Sequence, residues 1–552
     1  MIEYGYFTST GTPPDITSLR APLSFDIEAT GKDIARDGPL GVSVAMDHSS
    51  AYWFPIDSSM LKTLGTSLTV GHNLKYDRSM LKKAGVRVSD KLIDTLIAGH
   101  LLGKSPLDLK TLALSGLEVR LVTYADIGKS FEGMSLNDMA KFSGAHSIAS
   151  AMLWELFERD LRRFRMLDIF YNIEMPLIPV LSDMELNGVM VDPVVLESLG
   201  REFAGKIAAI DNALNSYTGS TSINYNSPDQ VAHLLFDVMG LPPGRMTNKG
   251  KRPSTEAKVL ESLKNKSPIV SLLLQRKRYD KLKGNYADGL LKTIIDDRIH
   301  CSFNQEGTRT GRLSSSDPNL QNIPQRSSEG RKIRMAFIAP PGYSLIRADC
   351  DQLELRVMAH CAQDLVMISA FNEGKDIHEE TAIRAFGDKK FRGPAKTLNY
   401  QIVYGGGEAG LKKKFFTAYP GIAEWTRRTH RIALEDGYVK TLGGRIRVLP
   451  ELRSDNSWMV KHGLNEAIST IVQGTSAETV KVGMRRAWEK FRGTDVKMIL
   501  QVHDEVVFEV PDSQIGDAIE VIREALTYKE LSVPLPVTIE VGKSWGNMKE
   551  VG

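Results

Sequence analysis

Two aspartates that lie far apart in the chain each stand at the end of an apolar run. Asp349 closes the run 343–349, and Asp504 lies in a tight polar turn between the runs 496–502 and 505–510. Phosphoryl transfer commonly uses two divalent ions about 4 Å apart, held by carboxylates on rigid strands. Mg²⁺ prefers hard oxygen ligands and keeps several waters, so two aspartates and substrate phosphates suffice. The pair therefore indicates a phosphoryl-transfer site, although either aspartate alone is typical of a turn or cap.

A second group of residues forms one stripe along a predicted helix. Arg392, Lys396 and Tyr400 are spaced four residues apart, so they share a helix face. Pro394 is tolerated only in a first turn, which puts Arg392 near the helix N-terminus, where anions are favoured, and Gly405 ends the helix. Two cations followed by an aromatic ring suit a triphosphate leading to a sugar and base. The alternative is a solvated basic face with the tyrosine in the core.

The elements that must position these residues follow from the apolar pattern. Up to about residue 165, strands at 22–28, 41–46 and 51–56 alternate with helical periodicity at 77–84 and 93–102, which predicts an α/β domain. A single long amphipathic helix is predicted over Trp154–Leu186. The remaining pattern predicts a helical region over 195–298, then a strand-bearing domain with a helical insertion over 366–440.

Composition sets broad limits on function. A chain of 552 residues predicts three or four domains, and its hydrophobic fraction of 42% excludes a disordered or fibrous protein. The formal net charge of +3 is too small to identify a nucleic-acid partner. Three cysteines without metal-ligand spacing, no visible secretory signal and no membrane-spanning run predict a soluble cytoplasmic protein.

Several segments together resemble the DNA polymerases of family A and occur in that family's order. The matching segments are 349–356 for motif A, 392–405 for motif B, 502–505 for motif C, 310–324 for the template-primer segment, and the shorter matches 375–378 and 473–475. The similarity runs from about residue 20 to the C-terminus.

The resemblance implies an α/β plus α+β multi-domain fold: an RNase H-like 3′-5′ exonuclease-type domain followed by a right-hand polymerase with palm, fingers and thumb. The expected boundaries are 1–165 for the exonuclease-like domain, 166–300 for a linking helix and thumb, 301–365 for palm with motif A, 366–440 for fingers with motif B, and 441–552 for palm with motif C. No 5′-nuclease domain is expected ahead of it.

The resemblance also implies roles for individual residues. Two Mg²⁺ ions would be bound by Asp349, Asp504 and the backbone carbonyl of Cys350, with Glu505 nearby as a further catalytic residue. The nucleotide-binding residues would be Arg392, His378 and Lys396 at the triphosphate, Tyr400 stacked on the nucleotide, Glu354 under the sugar, and Gln352 and Tyr404. Lys396 is also a candidate proton donor to pyrophosphate. Primer-template contacts would come from Arg312 and Gln473 in the minor groove, with Asn319, Gln321, His503 and Arg326.

The pattern around motif A favours DNA over RNA synthesis. Single-subunit RNA polymerases share the metal aspartates but not a Gln-x-Glu pattern, which here is Gln352 and Glu354. Tyr400 resembles the odd-numbered T-phage type, which predicts ready acceptance of dideoxynucleotides and a phage-type replication enzyme. Gln401 departs from the usual Gly, and Asn465 and Ser469 stand where bacterial relatives carry Arg and Asn, which puts some primer contacts in doubt.

The first domain resembles the family's proofreading exonuclease but lacks part of its site. Asp26 and Glu28 match the first exonuclease motif, and the segment 73–77, with Asn73 and Asp77, matches the second. At the third motif, Phe142 and His146 stand where the family has Tyr and Asp. We expect weak or absent proofreading in Mg²⁺. The alternatives are a structural platform that grips single strands, or a site that binds Mn²⁺ or Zn²⁺ through His146.

The expected partners are primer-template DNA and dNTPs, with the chain acting as a monomer without a membrane. Phage origin would place it in the host cytoplasm, and replisome partners cannot be read from the sequence. Two other functions stay open: a repair or lesion-bypass polymerase, and a DNA-binding protein with a dead site. The intact Asp349, Asp504, Arg392 and Lys396 argue against a dead site.

Overall fold

The computed structural model describes most of the chain: residues 3–6 (backbone only), 22–45, 47–58, 61, 64, 67–128, 131, 134–247, 252–325 and 327–551. Arg326, predicted to contact the primer-template, lies outside the described residues. Among the described helices, none has the length and apolar character needed to cross a membrane.

The amino-terminal part is a six-stranded mixed sheet covered by helices. Its elements are β1 Glu3–Tyr6, β2 Leu23–Ala29, β3 Pro39–Ala45, β4 Ser50–Pro55, β5 Thr69–Gly71, α1 Leu74–Lys83, β6 Leu92–Asp94, α2 Thr95–Leu101, α3 Leu109–Leu117 and α4 Leu136–Arg163. The strand order is β1-β4-β3-β2-β5-β6, and α4 packs across β2, β3 and β4. The three strands predicted from apolar runs are confirmed, because each run is long enough to bury one sheet face against these helices.

The single helix predicted over 154–186 is wrong. The structure has α4 ending at Arg163, α5 Leu167–Ile169, a π-helical turn Phe170–Glu174 and α6 Leu177–Asn187. Arg165 has φ 55°, which takes the backbone out of the helix, and Pro176 has no N–H for a helical hydrogen bond. Apolar periodicity continues across both breaks because all three pieces bury residues in the core.

A largely helical region follows, as predicted. Its elements are β7 Val189–Met190, α7 Pro193–Thr218, α8 Pro228–Ala232, a π-helical turn His233–Val238, α9 Ala257–Leu263, α10 Pro268–Lys281, a π-helical turn Leu282–Ala287, α11 Asp288–Leu291, β8 Ile294–Ile295 and β9 Arg298–Ile299. Helices α7 and α10 pack together, and the tip of this region has its own core, which includes Leu214, Leu260 and Ile269.

The strand-bearing region opens with a small hairpin and one long strand. These elements are β10 Ser302–Asn304, β11 Ser314–Ser316, α12 Ser328–Arg334 and β12 Tyr343–Cys350. Strand β12 is almost completely buried at Leu345, Ile346 and Ala348, so it forms the centre of a sheet.

The segment between β12 and the remaining strands of that sheet is largely helical and contains the helical insertion predicted over 366–440. Its elements are α13 Leu353–Ala362, α14 Leu365–Asn372, α15 Ile377–Thr381, a π-helical turn Ala382–Phe386, a 3₁₀ turn Lys389–Phe391, α16 Arg392–Val403, α17 Ala409–Ala418, α18 Pro420–Asp436, β13 Tyr438–Lys440, β14 Ile446–Val448, a 3₁₀ turn Pro450–Arg453 and α19 Ser457–Phe491. Helix α16 has Pro394 in its first turn and ends before Gly405, as predicted. Gly405 has φ 67°, and a Cβ there would come within 2.6 Å of the Cα of Asn465, so the end of α16 lies tightly against α19.

The carboxyl-terminal sheet is completed by β15 Lys497–Val502, β16 Glu505–Pro511, β17 Val537–Ser544 and β18 Asn547–Val551, with α20 Ile515–Leu526 against it. The order is β15-β16-β12-β17-β18, and every neighbouring pair is antiparallel. The central strand β12 therefore lies beside the hairpin β15-β16, which brings together two segments that are distant in sequence.

Candidate active site

The acidic edge is the end of the carboxyl-terminal sheet where Asp349 and Asp504 meet. In the register of β12 and β16, Asp349 lies opposite Glu505, so Asp504 in the preceding turn is its neighbour. The Cys350 amide donates a hydrogen bond to the carbonyl of Asp504 at 3.2 Å, and His503 supplies the positive φ of 57° that tightens the turn. The sheet thus brings together the two aspartates predicted to act together.

The charges at the acidic edge favour a cation. Burial raises the pKa of Asp349, and the nearby charges of Asp504 and Asp351 raise it further against the opposing effect of Arg347. Burial also raises the pKa of Asp504. Neighbouring carboxylates in a partly desolvated place are costly to ionise without a positive partner. Their donors are hard oxygens, so the residues fit Mg²⁺ better than a soft metal.

Glu505 is buried and surrounded by donors from the protein. Gln325 Nε2 donates to its carboxylate at 3.0 Å and Trp545 Nε1 at 3.2 Å. The guanidinium groups of Arg334 and Arg347 lie 3.6 and 3.8 Å from its oxygens. These contacts fix the start of β16 and suit Glu505 to holding the adjacent turn in place.

The basic face of α16 is held by residues that sequence reasoning missed. The Arg392 guanidinium donates two hydrogen bonds to Asp376 Oδ2, at 2.6 and 3.0 Å. Asn399 is fully buried and donates through Nδ2 to His378 Nδ1 at 2.9 Å. Asn399 follows Lys396 by three positions on a helix, and that spacing is the signal that could have revealed it. Asp376 thus positions Arg392, and the Asn399 amide positions His378.

His378 is a neutral hydrogen-bond donor in this setting. Its side chain is 2% exposed, and burial, together with the charges of Lys396 and Arg392, lowers its pKa to about 4. Because Nδ1 accepts from Asn399, the ring proton is on Nε2. The predicted contact of His378 with a triphosphate is therefore a neutral N–H contact and not an ion pair.

Glu354 and Arg312 form an ion pair beside the acidic edge. The Arg312 guanidinium donates to Glu354 Oε1, and Glu354 is only 4% exposed. Burial raises the pKa of Glu354 to about 7, although Arg312 opposes the shift. Tyr400 and Tyr404 are half-buried nearby. Burial raises the pKa of both phenols, and the charge of Glu354 raises it further.

The other predicted primer-template residues lie around the same region. Gln473 Nε2 donates to Ser469 Oγ at 2.8 Å, and Gln321 Nε2 donates to the Gln501 carbonyl at 3.2 Å. Asn319 is exposed, and its Oδ1 accepts from the Ser315 hydroxyl at 3.2 Å. Gln352 begins α13 with φ 52°, and its buried Oε1 has no hydrogen-bond partner within the described residues.

A second acidic site, here called the histidine-acid cluster, consists of Asp26 and Glu28 on β2 and His146 on α4. One ligand atom from each lies within 4.8 Å of the other two, and His146 Nδ1 is 3.5 Å from Asp26 Oδ2. Asp77 is 4% exposed beside them, and its Oδ2 has no hydrogen-bond partner among the described residues. Phe142 packs edge-on against the imidazole with ring centroids 4.6 Å apart.

The acids of the histidine-acid cluster repel one another when ionised. Burial, and then the neighbouring Asp26, raises the pKa of Glu28 to about 10, and burial raises that of Asp77 as well. Asn73 contributes only its backbone, whose N–H donates to Asp94 at 3.1 Å. Asp94 also accepts from Leu74 and Leu96, so it is a structural helix cap.

Comparisons with known proteins agree with this architecture. A protein-family profile described as DNA polymerase family A matches residues 194–547, and the chain therefore belongs to that family. A DNA polymerase I of Chloroflexus aurantiacus is 35% identical over 98% of this chain and 64% of its own length. The thermostable DNA polymerase I of Thermus filiformis is 38% identical over 70% of this chain and 49% of its own length.

A solved structure extends the likeness to the fold. The POL domain of Pol1 from M. smegmatis, in complex with DNA primer-template and dNTP, has a TM-score of 0.86, 29% identity and 96% coverage of both chains. This likeness supports the predicted palm, fingers and thumb. The chain spans less than two thirds of the length of the two DNA polymerase I relatives.

Proposed function

We propose that this chain is a template-directed DNA polymerase that adds deoxynucleotides to a primer 3′ end. The observation that carries the proposal is the meeting of Asp349 and Asp504 at one sheet edge, with the basic face of α16 in the adjacent insertion. Membership of DNA polymerase family A and the primer-template complex of the M. smegmatis neighbour support the same reading. Primer-template DNA and dNTPs are then the binding partners.

The residues of the acidic edge would hold two Mg²⁺ ions. Asp349, Asp504 and the carbonyl of Cys350 are the proposed ligands, and two such ions supply Lewis-acid stabilisation of the attacking and leaving oxygens. The chain's own residues do the rest. Arg392 and Lys396 bind the triphosphate, and His378 donates through Nε2 to a phosphate oxygen. Lys396 is also the proposed proton donor to the departing pyrophosphate.

Selection of the sugar and of the base pair is assigned to residues around Glu354. Buried under the nucleotide, Glu354 leaves no room for a 2′-hydroxyl, and Tyr400 stacks on the base. Arg312 breaks its ion pair with Glu354 and binds in the minor groove beside Gln473, where every correct base pair presents similar acceptors. Tyr404, Gln352, Asn319, Gln321 and His503 are proposed to line the nucleotide and template path.

The domain assignment follows the same proposal. The amino-terminal sheet is the exonuclease-like domain, residues 166–300 carry a linking helix and thumb, and 366–440 are fingers that close on the nucleotide. The two remaining segments, 301–365 and 441–552, make the palm. The relatives named above are bacterial, and a phage source stays a prediction from Tyr400.

Primer extension tests this function. Asp504→Ala removes a ligand worth several kcal/mol of transition-state stabilisation, so we expect at least about a 10³-fold loss of extension in Mg²⁺. An unaltered protein that does not extend a primer, or an Asp504→Ala variant that keeps full activity, would contradict the proposal.

A second function is favoured by the histidine-acid cluster: binding of Zn²⁺ or Mn²⁺ in place of Mg²⁺ at a proofreading-type site. His146 Nε2 lies 3.3 Å from the Val122 carbonyl, which can only accept, so Nε2 carries a proton, and Nδ1 is the ring nitrogen that faces Asp26. Two ligands of a tetrahedral Zn²⁺ lie about 3.3 Å apart, close to the 3.5 Å seen between His146 and Asp26. A histidine ligand suits Zn²⁺ or Mn²⁺ and disfavours Mg²⁺.

Calorimetric titration tests this metal preference. We expect Zn²⁺ to bind the unaltered protein at one more site than it binds His146→Ala, while Mg²⁺ binding is the same in both. Equal Zn²⁺ stoichiometry in the two proteins would contradict it.

A further inference from the structure

A buried ion network lies behind the template-primer segment and joins four distant parts of the chain. Glu174 is 1% exposed, and its carboxylate accepts hydrogen bonds from Lys481 Nζ at 2.8 and 3.0 Å and from Gln305 Nε2 at 2.8 Å. The Arg445 guanidinium donates to the same carboxylate. One side chain therefore binds α19, the turn between β13 and β14, and the segment after β10.

The network is balanced in charge. A second buried acid, Glu478, accepts from the Thr441 hydroxyl at 2.6 Å and lies 3.8 Å from Arg445 Nε. Two carboxylates thus face two cations, Arg445 and Lys481, none of them more than 5% exposed. Burial alone would raise the pKa of Glu174, but the two cations outweigh it and lower the pKa to about 2. Removing one buried charge from such a set leaves another uncompensated, which is costly.

The network touches the neighbours of both residues assigned to the minor groove. The Arg445 guanidinium packs against Gly311, the residue before Arg312; Gly311 has φ 83°, and a Cβ there would collide with Arg445. On the other side, a Cβ at Gly474, the residue after Gln473, would lie 2.5 Å from the methyl group of Thr441, whose hydroxyl donates to Glu478, and 3.0 Å from the Thr310 carbonyl. The turn that carries Arg312 therefore packs closely against the helix that carries Gln473, backbone against backbone.

The same region borders the acidic edge. Arg312, Lys481, His503 and Asp504 line one small cavity, so the cation held by Glu174 faces the space beside the metal-binding turn. A displacement of Lys481 or Arg445 would therefore shift the positions of Arg312 and of this turn, although the reacting groups themselves would be unchanged.

We infer that Glu174 is a positioning residue that sets the spacing between Arg312 and Gln473 and so governs how strictly a correctly paired primer end is recognised. This inference rests on the proposed polymerase function. Minor-groove acceptors occupy their standard places only in a correct pair, so a well-placed Arg312 favours matched ends over mismatched ones. A misplaced Arg312 loses that preference.

The test compares extension from matched and mismatched primer termini. In Glu174→Gln the carboxylate charge is lost, Arg445 and Lys481 repel each other, and the support of Gly311 shifts; misplacement of about 1 Å costs up to about 10²-fold in rate. We expect the ratio of kcat/KM for matched over mismatched ends to fall about 10- to 100-fold. Because the ratio is taken within one preparation, a loss of folded protein cancels.

Glu509→Gln is the matched control. Glu509 is a carboxylate of 1% exposure paired with Arg298 at 2.9 and 3.1 Å, but it contacts neither Arg312 nor the network. We expect this variant to lose stability and keep the matched-to-mismatched ratio of the unaltered protein.

A second variant decides the case in which Glu174→Gln does not fold. Gln305→Met removes two hydrogen bonds to Glu174, one to its carboxylate and one to its backbone carbonyl, without changing the charge, and we expect a several-fold fall in the ratio. An unchanged ratio in folded Glu174→Gln, or in Gln305→Met where the first variant does not fold, overturns the role of Glu174. Failure of the unaltered protein to extend a primer would instead overturn the polymerase function and this inference together.

Discussion

The acidic edge and the histidine-acid cluster both gather acids that are partly or fully buried, yet they differ in one ligand type. At the edge, Asp349 and Asp504 offer only oxygen, and the adjacent insertion carries the cations Arg392 and Lys396 on α16. In the cluster, His146 brings a nitrogen within 3.5 Å of Asp26, and the ring of Phe142 packs where a hydroxyl would otherwise be available. The two sites therefore gather acids in a similar way but offer a cation different donor atoms.

The first test of the difference between the two sites is to neutralise one acid in each. Asp349→Asn should reduce primer extension by at least about 10³-fold, because it removes a proposed ligand of both ions. Glu28→Gln should leave extension within about twofold, because the cluster lies on the amino-terminal sheet. Rates of primer extension in Mg²⁺ measure both effects. A large loss in Glu28→Gln would mean that the two regions do not act separately.

The second test is to place an oxygen ligand at His146 in the cluster. His146→Asp should produce Mg²⁺-dependent degradation of a primer 3′ end, about 10-fold or more above the unaltered protein, because Mg²⁺ prefers oxygen ligands. Adding Phe142→Tyr should raise it further by supplying a hydroxyl to orient water. Degradation of a labelled primer without dNTPs measures the gain, and no gain in either variant would count against the metal assignment.

The third and smallest effect concerns the charge of His378. Its pKa of about 4, well below the ordinary value, means that the imidazole is neutral from about pH 5 upward and protonates only below that. His378→Gln keeps a donor, so kcat/KM for dNTP should fall only a few-fold, and the ratio of unaltered protein to variant should stay constant between pH 6 and 8. A ratio that changes around pH 6.5 would show that His378 acts as a cation.

Local pattern predicted the parts of the fold whose causes are local. Strand β12, the hairpin β15-β16 and the bounds of α16 follow from apolar runs, a tight turn and the positions of Pro394 and Gly405. The break at Arg165 could not be predicted, because the apolar periodicity continues on both sides of it.

The residues that hold the site in place could not be predicted from the sequence. Glu174 and Lys481 are 307 positions apart, and nothing near either one indicates that both are buried. The neutral state of His378 depends on burial and on Asn399, which only the packed structure supplies. Roles carried over from the family concern residues that are expected to touch substrate, whereas the partners that support them are found only from three-dimensional contacts.

One measurement tests the contrast between the two regions most directly: the length of a 5′-labelled primer, annealed to its template, after incubation with the unaltered protein in Mg²⁺, with and without dNTPs. We expect steady extension when dNTPs are present and little or no shortening of the primer when they are absent. Brisk Mg²⁺-dependent shortening without dNTPs would contradict it, because the cluster would then act as an oxygen-type metal site in spite of His146.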